Sequence, residues 1–136
     1  MRPQVGLGVL IFRNRDELLL HKRKGNHCAG HWSSPGGHLE YKESFEDCAR
    51  REIHEECGPD LKIHDLRYFT TVNTIYPEEN KHYVTIFMMA LHTSGEAKVM
   101  EPDKCEVWQW FRWCRLPSPL MLGNLLVSEQ FPYLVY

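Results

Sequence analysis

From Val5 to Arg13 the chain is a run of branched apolar residues interrupted only by Gly6 and Gly8, and it predicts a buried strand. Asn14-Arg15-Asp16 is a turn signal, and Glu17 to Lys22 predicts a second strand, so the two can pair as a hairpin. Lys24 to Gly30 is a polar loop. Pro35-Gly36-Gly37 predicts a chain reversal or a close approach of two backbones, because glycine has no Cβ to prevent it. Ser44 to Cys57 has the strongest helical pattern. Ser44 suits the N-cap, Asp47 three residues on resembles a capping box, and Gly58-Pro59 is a stop signal. Strand-like stretches follow from Leu61 to Tyr76, from Lys81 to His92 and from Val107 to Trp113, with Pro77 to Asn80 as a turn. Leu120 to Gln130 predicts a closing amphipathic helix. The order is that of a mixed α/β domain covering residues 1–136, with one helix early in the chain.

The early helix has an unusual wheel. Phe45, Cys48, Ala49 and Ile53 form an apolar arc, but Glu52 and Glu56 fall inside it and Glu55 sits at its edge. Carboxylates at this spacing share a face and repel one another, more strongly if partly buried. A hard cation relieves that repulsion, and magnesium in such settings commonly bridges to phosphate oxygens. The competing reading is a solvated acidic face paired with Arg50 and Arg51.

Composition narrows the classes. Hydrophobic residues at 43% and charged residues at 25% are those of a globular protein, and a chain of 136 residues can bury a core without staples. A net charge of −2 gives no bulk attraction to a nucleic-acid polymer, so an anionic substrate must be met locally. The five cysteines form no Cys-x-x-Cys pair and favour reduced thiols in a cytoplasmic setting. The eight histidines show no metal-site spacing and read as surface or strand residues. No apolar run approaches the about 20 residues of a membrane span, and no signal-peptide pattern opens the chain. Trp108, Trp110, Phe111 and Trp113 could stack on a base, but core packing or a dimer contact is the preferred reading. Lys22, Arg23 and Lys24 could clamp phosphates, although a solvated strand end explains Lys22 and Lys24 as well.

From Gly37 to Gly58 the chain reads GHLEYKESFEDCARREIHEECG, which resembles the Nudix box G-x5-E-x7-R-E-U-x-E-E-x-G-U. Gly37, Glu43, the Arg51-Glu52 pair, Ile53, Glu55-Glu56 and Gly58 fill the defined positions; only Pro59 departs from them. The resemblance implies a Nudix-type α/β/α sandwich with a mixed sheet, and hydrolysis of a phosphoanhydride bond with magnesium, for which manganese can substitute. It implies Glu52 and Glu56 as the main metal ligands, Glu55 as a further ligand or an aid to water activation, and the Gly37 carbonyl beside them, with a glutamate of the box or one outside it taking the proton. Glu43 and Arg51 become the ion pair that steadies loop and helix. A glutamate outside the box often completes such sites as base or ligand; Glu106 is the candidate and Glu101 the alternative.

Within the family, HKRKGNHCAGHW, PGGHLEYKESFEDCARRE, HYVTIFM and EPDKCEVWQWF resemble the nucleotide triphosphate diphosphatase of Nudix type 15 in order and spacing. That resemblance implies a nucleoside triphosphate, oxidised or modified forms included, cut to monophosphate and pyrophosphate. It sets Arg23, Gly36, Gly37 and His38 near the substrate, puts Gly123 and Asn124 where the base is held, and admits a homodimer. Ser34 departs from the apolar residue usual before PGG and could enlarge or wet the base pocket. The chain is also shorter than expected for this group. Other readings are a nucleoside diphosphate sugar or dinucleotide polyphosphate as substrate, or a non-catalytic nucleotide-binding module, which would usually carry a damaged box. RNA decapping finds no basic stripe or polar tail in its favour.

Overall fold

A computed structural model describes residues 1–136. It has strands β1 (Gln4–Arg13), β2 (Glu17–Arg23), β3 (Trp32–Ser33), β4 (Gly36–His38), β5 (Lys62–Tyr76), β6 (Lys81–Ser94) and β7 (Cys105–Arg112). Helix α1 (Phe45–Cys57) lies between β4 and β5, and α2 (Leu122–Gln130) follows β7. All seven strands form one mixed sheet: β1 runs parallel to β6 and antiparallel to β2 and β4, while β5 pairs with β6, and β3 and β7 with β2.

Strand alternation makes this sheet the middle layer of a sandwich. Leu7, Val9 and Ile11 of β1 join Ile86, Met88 and Ala90 of β6 under Cys48, Ala49, Ile53 and Cys57 of α1. The intervening Leu10, Phe12, Phe87 and Met89 face the other way and pack with Val127 of α2 and with Trp113. Helix α1 starts where Ser44 Oγ accepts the Asp47 amide at 3.0 Å and ends at Gly58, whose φ of 90° suits glycine. Phe45, placed in the apolar arc on the wheel, is 40% exposed on the first turn.

One strand edge decides where the cleft opens. β1 pairs with β2 only at Phe12 and Arg13, near the hairpin turn. Farther along the same edge β4 takes over, opposite Gly6, Leu7 and Gly8. The Pro35-Gly36-Gly37 stretch is therefore a close approach and not a reversal. A Cβ on Gly36 would collide with the Leu7 carbonyl and the Gly8 Cα. The last helix begins at Leu122, two residues later than the pattern predicts, because Pro119 and Met121 are bonded to Trp32 of β3. The Pro119 carbonyl accepts the Trp32 amide and the Trp32 carbonyl accepts the Met121 amide, both at 2.8 Å.

The aromatic run near the C-terminus packs. Trp113 is buried against Phe12, Trp108 stacks on His21 at 4.6 Å, Phe111 meets the edge of Trp32, and the Arg13 guanidinium lies over Trp110. No helix is long and apolar enough to cross a membrane.

Candidate active site

The buried stripe of α1 carries its carboxylates against β4. Glu52 is 8% exposed, and its side chain lies where a Cβ on Gly37 would have to go. One turn later, Glu56 Oε1 accepts the Gly36 amide at 2.6 Å. Arg51 holds the other side. Its guanidinium donates to both Glu43 oxygens at 2.7 and 2.8 Å, to Glu52 Oε1 at 2.7 Å and to the His38 carbonyl at 3.0 Å. Glu43 also accepts the Glu40 amide at 3.1 Å, which ties the loop before α1 to the helix. Glu55 is exposed and leans toward Arg51 at 3.5 Å.

The electrostatics divide these groups in two. Arg51 holds the Glu43 carboxyl well below its ordinary value, at about 2. Burial pushes Glu56 up to about 8, with Glu52 and Glu101 adding to the rise and the Gly36 amide opposing it. Glu52 is raised by burial as well, against the pull of Arg51. Glu52 Oε2 and Glu56 Oε2 have no hydrogen-bond partner. Desolvated like charges with spare hard oxygens are a donor set suited to a divalent cation. Glu52, Glu55 and Glu56 are not already gathered around a point. The group of three ligand atoms that does lie within 4.8 Å is His27, Cys28 and Glu79.

The three α1 glutamates face a cleft of about 820 Å³, which Glu43 does not line. Arg23, Gly36, Gly37, His38 and Arg51 line it with the three α1 glutamates, and Gly123 and Asn124 line it from the first turn of α2. Glu106 is not among the lining residues. It is exposed on β7, next to buried Cys105, and pairs with Lys22 at 3.8 Å. Strand alternation turns the two neighbours opposite ways, so Cys105 faces in and Glu106 faces out. Glu101, the alternative, does line the cleft. Asn124 is engaged already: its amide donates to Ser34 Oγ at 2.8 Å and its Oδ1 accepts the Ser34 amide at 3.3 Å.

The sequence reading missed part of the floor. Gly6 and Gly8 of β1 lie beside Thr85 and Phe87 of β6, with Tyr83 and Thr74 next to them, and all of these line the cleft. They continue the face that carries Leu10 and Phe12 in the core. The side chains shrink to hydrogen there, and that opens the floor. Glycine inside a strand was the available signal. Buried His21 lines the cleft too, and nothing in its spacing marked it.

The NUDIX domain profile matches residues 2–128. The chain belongs to the NUDIX family. Its architecture is the NUDIX fold, and it is similar to a MutT NUDIX hydrolase from Burkholderia pseudomallei with a TM-score of 0.87 and 35% identity, covering 96% of this chain and 98% of that one. A MutT protein from Methanosarcina mazei Go1 shares the fold with a TM-score of 0.79 at 22% identity, covering 96% of this chain and 94% of that one. Among curated NUDIX relatives, the 8-oxo-dGDP phosphatase NUDT18 of Danio rerio is 28% identical over 88% of this chain and 35% of its own. The NAD-capped RNA hydrolase NudC of Edwardsiella ictaluri is 29% identical over 90% of this chain and 45% of its own. The chain thus spans less than half the length of these two curated relatives.

Proposed function

We propose that this chain hydrolyses a phosphoanhydride bond of a nucleoside triphosphate, oxidised or otherwise modified forms included, giving the monophosphate and pyrophosphate. The observation that carries this reading is the pair of desolvated carboxylates, Glu52 and Glu56, set against the glycine strand β4 at the edge of an open cleft. Glu52, Glu55, Glu56 and the Gly37 carbonyl would hold magnesium or manganese. Such an ion neutralises phosphate charge and acidifies a bound water.

The chain's own residues do the rest. Arg23 faces the phosphates and draws them into the cleft. Arg51 is a positioning residue: by gripping Glu43, Glu52 and the His38 carbonyl it fixes β4 and α1 relative to one another. Water attacks phosphorus, the anhydride bond breaks, pyrophosphate leaves, and Glu101 takes the water's proton. Tyr76, Tyr83 and Phe87 give the base an aromatic surround, with Gly123 leaving room beside Phe87. The resemblance to Nudix type 15 supports the triphosphate over a nucleoside diphosphate sugar. The same proposal includes a cytoplasmic setting and a homodimer.

The test is pyrophosphate and phosphate release from dGTP, dCTP, an oxidised dGTP, an oxidised dGDP, ADP-ribose, NAD and a dinucleotide polyphosphate, each with magnesium and with EDTA. Metal-dependent pyrophosphate release from a triphosphate is expected. Turnover of NAD or ADP-ribose alone would move the substrate class. Tight nucleotide binding without any turnover would overturn the enzyme reading.

A further inference from the structure

We infer that His27, Cys28 and Glu79 form a second metal site at the cleft rim, suited to a borderline-soft ion such as zinc and separate from the α1 carboxylates. Their three ligand atoms lie within 4.8 Å of one another. His27 Nδ1 is 2.6 Å from Glu79 Oε2, and Cys28 Sγ is 3.7 Å from the same nitrogen. Around a tetrahedral zinc ion, sulfur and nitrogen ligands sit about 3.6 Å apart. The Cys–His separation is of that size, but the sulfur lies as near Nε2 (3.8 Å) as Nδ1, so the Cys28 side chain must swing toward the Nδ1 side and the His–Glu pair must open by less than about 1 Å to admit an ion.

The donor chemistry separates this site from the catalytic one. Magnesium takes oxygen ligands, whereas a thiolate and an imidazole select zinc and similar ions. A neutral His27, a Cys28 thiolate and a Glu79 carboxylate would together balance a divalent charge. Without an ion, burial and the Glu79 charge push the Cys28 thiol above its ordinary value. The three protein ligands leave one tetrahedral position for water.

The location gives the site a consequence. His27 and Cys28 lie on the loop between β2 and β3, and Glu79 on the turn between β5 and β6, so an ion would clip two segments that are far apart in sequence. Arg23 Nε donates to the His27 carbonyl at 3.2 Å, and Tyr76 packs edge-on to the His27 ring at 5.0 Å. An occupied clip would hold the cleft-lining Arg23 and Tyr76 in place.

Cobalt titration of the whole metal-free chain tests this. Cobalt reports thiolate ligation through a near-ultraviolet charge-transfer band and is displaced by zinc. The expected result is a band that saturates at one equivalent, bleaches with zinc and vanishes in Cys28→Ser. It should survive in Cys114→Ser, which removes the exposed thiol, and in Glu56→Gln, which alters the catalytic carboxylates. Glu79→Gln should weaken cobalt binding by more than roughly tenfold. Circular dichroism of each variant, matching the parent, separates loss of the site from loss of the fold. The proposal is overturned if the parent shows no thiolate band, or if the band persists in Cys28→Ser. Neither outcome depends on turnover, so the result stands apart from the proposed hydrolysis.

Discussion

The Glu52 carboxylate fills the space that a side chain on Gly37 would need. This contact locks α1 to β4, and with the bond from the Gly36 amide to Glu56 it sets two carboxylates against one short strand. Position 37 is glycine for steric reasons. Its backbone is not in the left-handed region, so an added side chain meets no backbone strain and acts by pushing the Glu52 carboxylate aside.

Gly37→Ala should therefore displace Glu52 while leaving both core layers in place. A shift of about 1 Å at a reacting centre can cost on the order of 100-fold in turnover. Steady-state kinetics should show that scale of loss in kcat, with a thermal midpoint close to the parent's. An unchanged kcat would show that Glu52 is not held where the chemistry needs it.

Much of this was legible in the sequence. The box on α1 could be read because helical spacing put Glu52 and Glu56 on the stripe that also carries Cys48, Ala49 and Ile53. The layering was implied only by the resemblance to the Nudix box, because β1 is buried on both faces and its apolar run does not alternate. The outside glutamate was harder: Glu101 and Glu106 are both near in sequence, and only the turn of β7 decides which faces the cleft. The floor of the cleft was hidden for a different reason. Gly6 and Gly8 reveal an opening only once Thr85, Phe87 and Thr74 are known to lie alongside. The His27–Glu79 contact joins loops 52 residues apart (79 − 27), and local spacing carries no trace of it.

Glu56→Gln keeps an oxygen that can accept the Gly36 amide and removes the charge. Turnover should fall by orders of magnitude with the fold retained. Glu46→Gln is the matched control. Glu46 is exposed and pairs only with Arg50 at 3.3 Å, so its loss should leave kcat and the thermal midpoint nearly unchanged. Comparable activity in both variants would remove Glu56 from the metal site.

Arg51→Lys tests geometry at constant charge. A lysine cannot give Glu43 two parallel bonds while also reaching Glu52 and the His38 carbonyl. Turnover should drop roughly 10–100-fold, as for other groups that orient metal ligands. The acid side should change as well. Glu43 is depressed to about 2 by Arg51, so its stabilising contribution is present above the ordinary value of 4.5 and is lost as pH falls through 2. In Arg51→Lys that contribution should be smaller and its loss complete at a higher pH, which melting curves between pH 2 and 5 would record.

His21 gives a second pH signature, outside the carboxylate set. It is buried and stacked on Trp108, and its Nδ1 has no partner. Burial, aided by the charge of Arg23, lowers it to about 4 from 6.5. Its folded value is depressed, so the stability it confers is complete above pH 6.5 and is lost as pH falls toward 4, because the unfolded chain takes up the proton first. At about 1.4 kcal/mol per unit the effect is on the order of 3 kcal/mol. His21→Phe should flatten the melting temperature between pH 6.5 and 4. A slope equal to the parent's would assign the acid sensitivity elsewhere.

Under the proposed function, Ser34 and Asn124 stand where the cleft would meet a base. The two side chains are buried and joined amide to hydroxyl and amide to backbone. The serine lines the cleft and is tied to Asn124 there. It occupies one Asn124 hydrogen and one lone pair, leaving the other of each for a ligand. Ser34→Ala removes the hydroxyl and leaves the Asn124 amide short of a partner inside the fold, at a cost of about 1–3 kcal/mol. The freed amide should then turn toward substrate. The expected outcome is a lower thermal midpoint together with a changed ranking of purine and pyrimidine triphosphates in kcat/KM. A lower midpoint with the ranking intact would mean that Asn124 braces α2 against β3 and takes no part in reading the base.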